Sequence, residues 1–253
     1  MVFSSFYHGL RNFWLEFDIR NHFKLGPVKY HNVVASIKGT KYPDEYVIIS
    51  GHLDSYDVAT GGIDCGTGIG PMMEAARMIA LSGAKPKRTI LFVAFAGEEF
   101  GLLGAKSYVK THAKELGKIA NLFNRDGGPT PPVGISVPQA MYDDFVEVCK
   151  PVKEIRADYP FEVKVAKPFK RPTQSGGTDA SVFAVEGVPT FGFNTQDIKG
   201  YNFSYGEIWH TERDLYTKNI PEYQEHAATV TAVVALGIAN LSKQLSREGM
   251  HKK

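Results

Sequence analysis

A few acidic residues and histidines in this chain sit at positions where they could do chemistry together. GHLDS at 51–55 sets His52 two residues before Asp54, and GGIDCGTG at 61–68 places Asp64 in a glycine-rich loop. GEEFGLLGA at 97–105 carries the adjacent pair Glu98-Glu99, NRDGG at 124–128 carries Asp126, and WHTERD at 209–214 carries His210. Imidazole and carboxylate donors suit zinc-like divalent ions. Two such ions about 3.5–4 Å apart can share a bridging carboxylate and clamp a water or hydroxide between them. Each ion then needs a histidine and a carboxylate besides the bridge, and the chain offers both. An adjacent Glu-Glu pair can divide the work, one carboxylate holding metal and the other taking the proton of the attacking water. Asp54 is placed to orient the His52 imidazole.

These residues act together only if the fold gathers them. Residues 28–37 read as a strand, and YVIIS at 46–50 is a continuous apolar run suited to a buried strand. Residues 89–96 and 119–123 read the same way, 161–166 alternates as a more exposed strand, and 190–193 is a further short one. Helical spacing follows Pro71 up to Gly83, and helices are also expected over 101–113, 139–153 and 221–245. Strands alternating with helices predict an α/β fold: a mixed, mostly parallel central sheet sandwiched by helices, in a single domain. In such sheets ligands sit beyond the carboxyl ends of the strands. His52 and Asp54 follow the first buried run, Glu98 and Glu99 the second, and Asp126 the third, with Asp64 in a loop entering a helix. The expected organisation is an extension or remnant of upstream sequence over 1–27 and a catalytic domain over 28–253.

Composition narrows the function classes. Hydrophobic residues make up 43% and charged residues 22%, so neither a disordered nor a collagen-like chain is indicated. Lys plus Arg number 29 against 27 Asp plus Glu, which gives no electrostatic reason to expect nucleic acid or an anionic membrane as partner. Cys65 and Cys149 are too few for a disulfide scaffold or a thiolate zinc site. No membrane span is visible, and the first residues do not read as a signal peptide, being interrupted by His8, Arg11, Glu16 and Asp18. The loop at 66–70 is not a dinucleotide fingerprint, because Pro71 stands where that motif needs glycine, and no GxxxxGK[ST] loop or GxSxG elbow occurs.

The five blocks resemble, in order and spacing, the M28 metallopeptidases, in particular the co-catalytic zinc aminopeptidases. The resemblance extends to GGTDASVF at 176–183 and GVPTFGF at 187–193 and covers roughly residues 28–243. It implies two zinc ions per chain. Asp64 bridges them, His52 and Asp126 complete one site, Glu99 and His210 complete the other, and Glu98 is the general base. Asp54 stands behind His52. The implied activity is hydrolysis of a terminal peptide bond, first as an aminopeptidase. The GGTD and GVP blocks also resemble the carboxypeptidase Q-like branch, whose members act on dipeptides, so a dipeptidase is the alternative. A peptide or dipeptide is the expected partner. The family suggests a secreted or periplasmic location, and this chain shows no export signal to support it. The chain departs from the family at Cys65, where Asp or Asn commonly follows the bridging aspartate, often across a cis peptide. A second departure is the lack of the upstream region and inserted domain many secreted members carry.

Other residues get plainer readings. Cys65 reads as a small packed residue, and Asp179 and Asp214 as structural acids. Tyr201 and Tyr205 read as packing, with contact to the reacting carbonyl as the sharper alternative. Glu207 and Glu212 are candidates for holding a substrate amine. His112 with Glu115 lacks the HExxH pattern. A non-catalytic binding module of the same fold would be expected to lose a ligand or the base, and all are present here.

Overall fold

The computed structural model describes residues 16–20, 22 and 26–252. The extension expected over 1–27 therefore lies largely outside the described residues. The elements run β1 (Val33–Ile37), β2 (Tyr42–His52), α1 (Gly66–Leu81), β3 (Arg88–Phe95), α2 (Leu103–Thr111), β4 (Ile119–Asn124), β5 (Pro132–Val137), α3 (Gln139–Ile155), β6 (Glu162–Val165), α4 (Asp179–Val185), β7 (Phe193–Thr195) and α5 (Pro221–Asn240).

The apolar run of β2 explains the layering. Successive strand residues point to opposite faces. Val47 and Ile49 join a core with Ala75 and Ile79 of α1 and Val230 and Val234 of α5, whereas Ile48 joins a second core with Ala105 of α2 and Phe183 of α4. Both faces are covered by helices, so the run Tyr46–Ile49 is continuously apolar instead of alternating.

The mixed sheet is present in two hydrogen-bonded parts. In the first, ordered β1-β3-β2-β4, β2 runs parallel to β3 and β4, and β1 closes the edge antiparallel to β3. In the second, β5 pairs parallel with β6 and antiparallel with β7. The extended segment 189–193 joins them. Leu122 N–H donates to Pro189 O at 2.9 Å, and the buried Asn121 amide donates to Phe191 O and accepts from Phe191 N–H, both at 3.0 Å.

Several expected boundaries move. The strand expected over 28–37 begins only at Val33, the last helix stops at Asn240, and the strand expected over 190–193 forms at Phe193–Thr195. β5 and α4 were not foreseen: PVGISV carries proline and glycine, and α4 is too short to show a helical period. α1 begins at Gly66, with Pro71 inside it rather than opening it. A proline here removes the hydrogen bond to the carbonyl four residues earlier. That carbonyl, Thr67 O, instead accepts from Arg125 Nε at 2.8 Å.

Asn121→Ala removes both bonds to Phe191 and leaves a buried N–H and C=O unpaired. The expected loss is about 2–4 kcal/mol, or roughly 5–15 °C in Tm. Thermal unfolding of the two proteins checks this, and a Tm within about 1 °C of wild type contradicts the bridging role of Asn121.

Candidate metal centre

Three parallel strands end on one edge, and each delivers chemistry there. β2 ends in His52, β3 runs into Glu98 and Glu99 through Gly97, and β4 runs into Asp126 through Arg125. The loop before α1 brings Asp64, and the loop before α5 brings His210. The Asp64 carboxylate is central. Its Oδ1 lies 3.0 Å from His52 Nε2, and its Oδ2 lies 4.0 Å from His210 Nε2. His52 Nε2 is also 3.3 Å from Asp126 Oδ1, and His210 Nε2 is 2.9 Å from Glu99 Oε2. The five expected ligand residues therefore meet, divided into the two groups the resemblance implied.

The donor set fits divalent cations. His52 Nδ1 lies 2.9 Å from the backbone carbonyl of Asp54. A carbonyl only accepts, so Nδ1 carries the hydrogen, and a neutral ring presents its Nε2 lone pair to the carboxylates of Asp64 and Asp126. A cation between them, or a second ring proton, relieves that repulsion. Glu99 Oε1 is buried without a hydrogen-bond partner. Ligand atoms of His52, Asp64 and Glu99 lie within 4.8 Å of one another.

Cys65 can approach His52 and Asp126 in the same way. It is buried, however; its Sγ–H donates to Arg125 O at 3.0 Å, and burial pushes the thiol pKa up. It stays a packed thiol, in line with the plainer reading. The Asp64-Cys65 peptide is cis.

The surrounding acids anchor backbone. The Asp54 carboxylate accepts from Glu98 N–H and Glu99 N–H, each at 3.0 Å, while its carboxylate is 3.8 Å from His52 Nδ1. Asp54 thus orients the imidazole through its main-chain carbonyl and uses its side chain to hold the Glu-Glu turn. Asp214 does the same for the bridging loop, accepting from Ile63 N–H at 2.6 Å and Asp64 N–H at 3.2 Å. Close packing fixes that loop further: a Cβ at Gly62 would lie 2.2 Å from Leu215 C, and one at Gly68 2.1 Å from Arg125 O.

Sequence reasoning missed two contributors. Tyr205 donates to Asp64 Oδ2 at 2.9 Å, so its contact is with the bridging carboxylate and not mere packing. Arg125 donates to the carbonyls of Thr67, Gly128 and Thr130, tying α1 to the loop after Asp126. Its signal was its place beside Asp126. Tyr201 is exposed and donates to Glu222, away from the cluster. Glu207 and Glu212 are exposed and do not line the cavity at the cluster, so the amine-holding role is not supported by their placement. That cavity, of about 480 Å³, is lined by Asp64, Glu98, Glu99 and Asp126 together with Tyr205 and His210.

Charge crowding sets the proton affinities. Burial, then the neighbouring Asp126, pushes Glu98 up to about 8. Burial alone would lower His52, but hydrogen bonds from its ring to the Asp126 and Asp64 carboxylates hold it well above the ordinary imidazole value. Burial would raise Asp64, yet His52 and Tyr205 bring it down. Asp179 is fully buried with neither oxygen hydrogen-bonded, and burial pushes it up to about 7.

Comparison with known proteins agrees with this architecture. The family description "Peptidase family M28" matches residues 32–234. Carboxypeptidase Q of Rattus norvegicus is 32% identical over 231 residues, 89% of this chain and 46% of that protein. The chain spans about half the length of the curated relatives it matches. A peptidase M28 precursor from Shewanella amazonensis superposes with a TM-score of 0.71 at 34% identity, over 85% of this chain and 46% of that one. A zinc aminopeptidase from Bacillus subtilis shares the fold at a TM-score of 0.63 and 21% identity, over 87% of this chain and 53% of that one. Among the described residues no helix is long and apolar enough to cross a membrane.

Stripping metal with a chelator isolates the crowded carboxyls. Glu98, near 8, and Asp179, near 7, keep protons in the native state that an unfolded chain releases at about pH 4. Their favourable contribution is complete below that pH and is lost as pH rises through 7–8, and above pH ~6.5 the His52 imidazolium acts in the same direction. The Tm of chelated protein should fall from pH 5 to pH 8, and Glu98→Gln with Asp179→Asn should flatten the fall. A Tm that rises over that range contradicts the assignment.

Proposed function

The chain belongs to peptidase family M28, and from that membership and the geometry of the strand-end cluster we propose that it is a two-zinc exopeptidase that hydrolyses a terminal peptide bond. The observation that carries the reading is the bridging placement of Asp64, with one oxygen toward His52 and the other toward His210. Asp126 completes the His52 side and Glu99 the His210 side. Bound zinc supplies Lewis acidity, polarising the scissile carbonyl and making a water acidic enough to be deprotonated near neutral pH.

The protein's own groups then do the proton work. Glu98 lines the cavity beside the ligands and takes the proton of the attacking water, then returns it to the leaving amine. Its burial near Asp126 raises its proton affinity, which suits a base that must also act as an acid. Glu98 and Glu99 share one anchor, because the Asp54 carboxylate holds both of their N–H groups. A shift of the base relative to the ligand therefore breaks a charge-assisted hydrogen bond. Tyr205 steadies the bridging carboxylate by donating to it.

An aminopeptidase is the first reading. Its support is the strongly acidic cavity, which suits a substrate's free amine. A dipeptidase like the carboxypeptidase Q branch is the second. Its support is the 32% identity to carboxypeptidase Q across 89% of this chain.

Metal analysis alongside hydrolysis of leucine p-nitroanilide and a small dipeptide set tests the proposal. About two zinc per chain are expected. Glu98→Gln should keep the metal and lose about 10²–10⁴-fold in kcat. Hydrolysis of dipeptides alone selects the second reading. Folded, zinc-supplemented protein that binds no metal refutes the proposal.

A further inference from the structure

One charged group at the cavity remains without a partner. Lys106 lines the same cavity as Asp64, Glu98, Glu99, Asp126 and His210. Asp64, Asp126 and Glu99 meet the histidines, and neither Glu98 nor Lys106 has an ion-pair partner among the described residues. It sits near the start of α2, directly after the turn that carries Glu98 and Glu99, and its N–H donates to Leu102 O at 2.9 Å. Neighbouring Ala105 and Tyr108 are buried in the core, so the helix is fixed while Lys106 is exposed to solvent at the cavity.

Charge balance says what Lys106 would meet. With two zinc ions bound, the four wall carboxylates are neutralised, and the lysine is the uncompensated charge. Between its termini the backbone of a peptide offers it nothing charged. The anion that every peptide with a free end brings, whatever its side chains, is the C-terminal carboxylate. In a dipeptide that carboxylate lies one residue beyond the scissile carbonyl. Each further residue carries it about 3.3–3.6 Å away.

We propose that Lys106 is a specificity-determining residue that pairs with the substrate's free C-terminal carboxylate and so favours dipeptides over amidated or longer peptides. This rests on the exopeptidase reading above and adds to it a residue and a rule. The pair is solvent-exposed, so the preference should shrink as ionic strength rises.

The test uses the zinc-loaded full chain with leucyl-alanine, its C-terminal amide, and leucyl-aspartic acid amide, which carries a carboxylate only on its side chain. Wild type should favour the free acid over the alanine amide by about tenfold in kcat/KM. Lys106→Met should bring that ratio close to one through a higher KM for the free acid, and Lys106→Arg should restore most of it. Calorimetric binding of leucyl-alanine in a Glu98→Gln background should weaken by about the same factor on adding Lys106→Met. A ratio near one in wild type, an unchanged ratio in Lys106→Met, or equal preference for the aspartic acid amide overturns the inference while leaving the exopeptidase reading intact. A zinc-loaded wild type that cleaves none of the three overturns both.

Discussion

Asp64 has to sit between two imidazoles, and much of the surrounding structure holds it there. Its side-chain oxygens face His52 and His210 from opposite sides. Its own N–H is gripped by the buried Asp214, and the carbonyl of Gly62 just before it accepts from Asn219. The loop carrying it packs so closely on residues 215–216 and 125 that glycine is required at 62 and 68. A carboxylate that meets two imidazoles tolerates little displacement in either direction. The anchors accordingly come from three separate parts of the chain: the first turn of α1, the strand end carrying Arg125, and the segment before α5.

Gathering like charges at a sheet edge is costly, and the protein meets that cost unevenly. Acids with a backbone partner, Asp54 and Asp214, use both oxygens on N–H groups. The Glu98 carboxyl, without such a partner, shows the strain in its proton affinity, raised to about 8. Under the proposed function, cations between Asp64 and its neighbours would supply the missing counter-charge, so the crowding that destabilises the empty cluster would favour metal binding. Asp179 lies outside that scheme: it is buried and without a hydrogen-bond partner in the protein, so its neutral form is favoured up to about 7.

The central strands and the residues at their ends were readable in the sequence. Buried parallel strands are apolar runs, and an acid or histidine placed just past such a run stands out. The elements that escaped notice lack such a pattern. β5 is broken by proline and glycine, and α4 has only seven residues. Pro71 reads as a helix start because proline is favoured in a first turn; inside α1 its missing hydrogen bond is replaced by one from Arg125, 54 positions away and invisible to any local rule. Tyr205 escaped a firm assignment for the same reason, since its partner Asp64 is 141 residues distant.

Local pattern also cannot separate a ligand from an anchor. Asp54, Asp64, Asp126 and Asp214 are all aspartates in loops within two residues of a glycine, histidine or arginine, and composition treats them alike. Geometry separates them by what each oxygen faces. An anchor such as Asp214 turns both oxygens to main-chain N–H groups, and neither meets an imidazole. A ligand such as Asp64 keeps its oxygens toward imidazole nitrogens, with only the Tyr205 hydroxyl added. The same test assigns the pair after β3. The N–H groups of Glu98 and Glu99 are both held by Asp54, yet Glu99 turns one oxygen to His210, whereas no imidazole meets Glu98. Two adjacent, chemically identical residues on one anchored turn thus acquire different roles from the single difference of which one reaches a histidine.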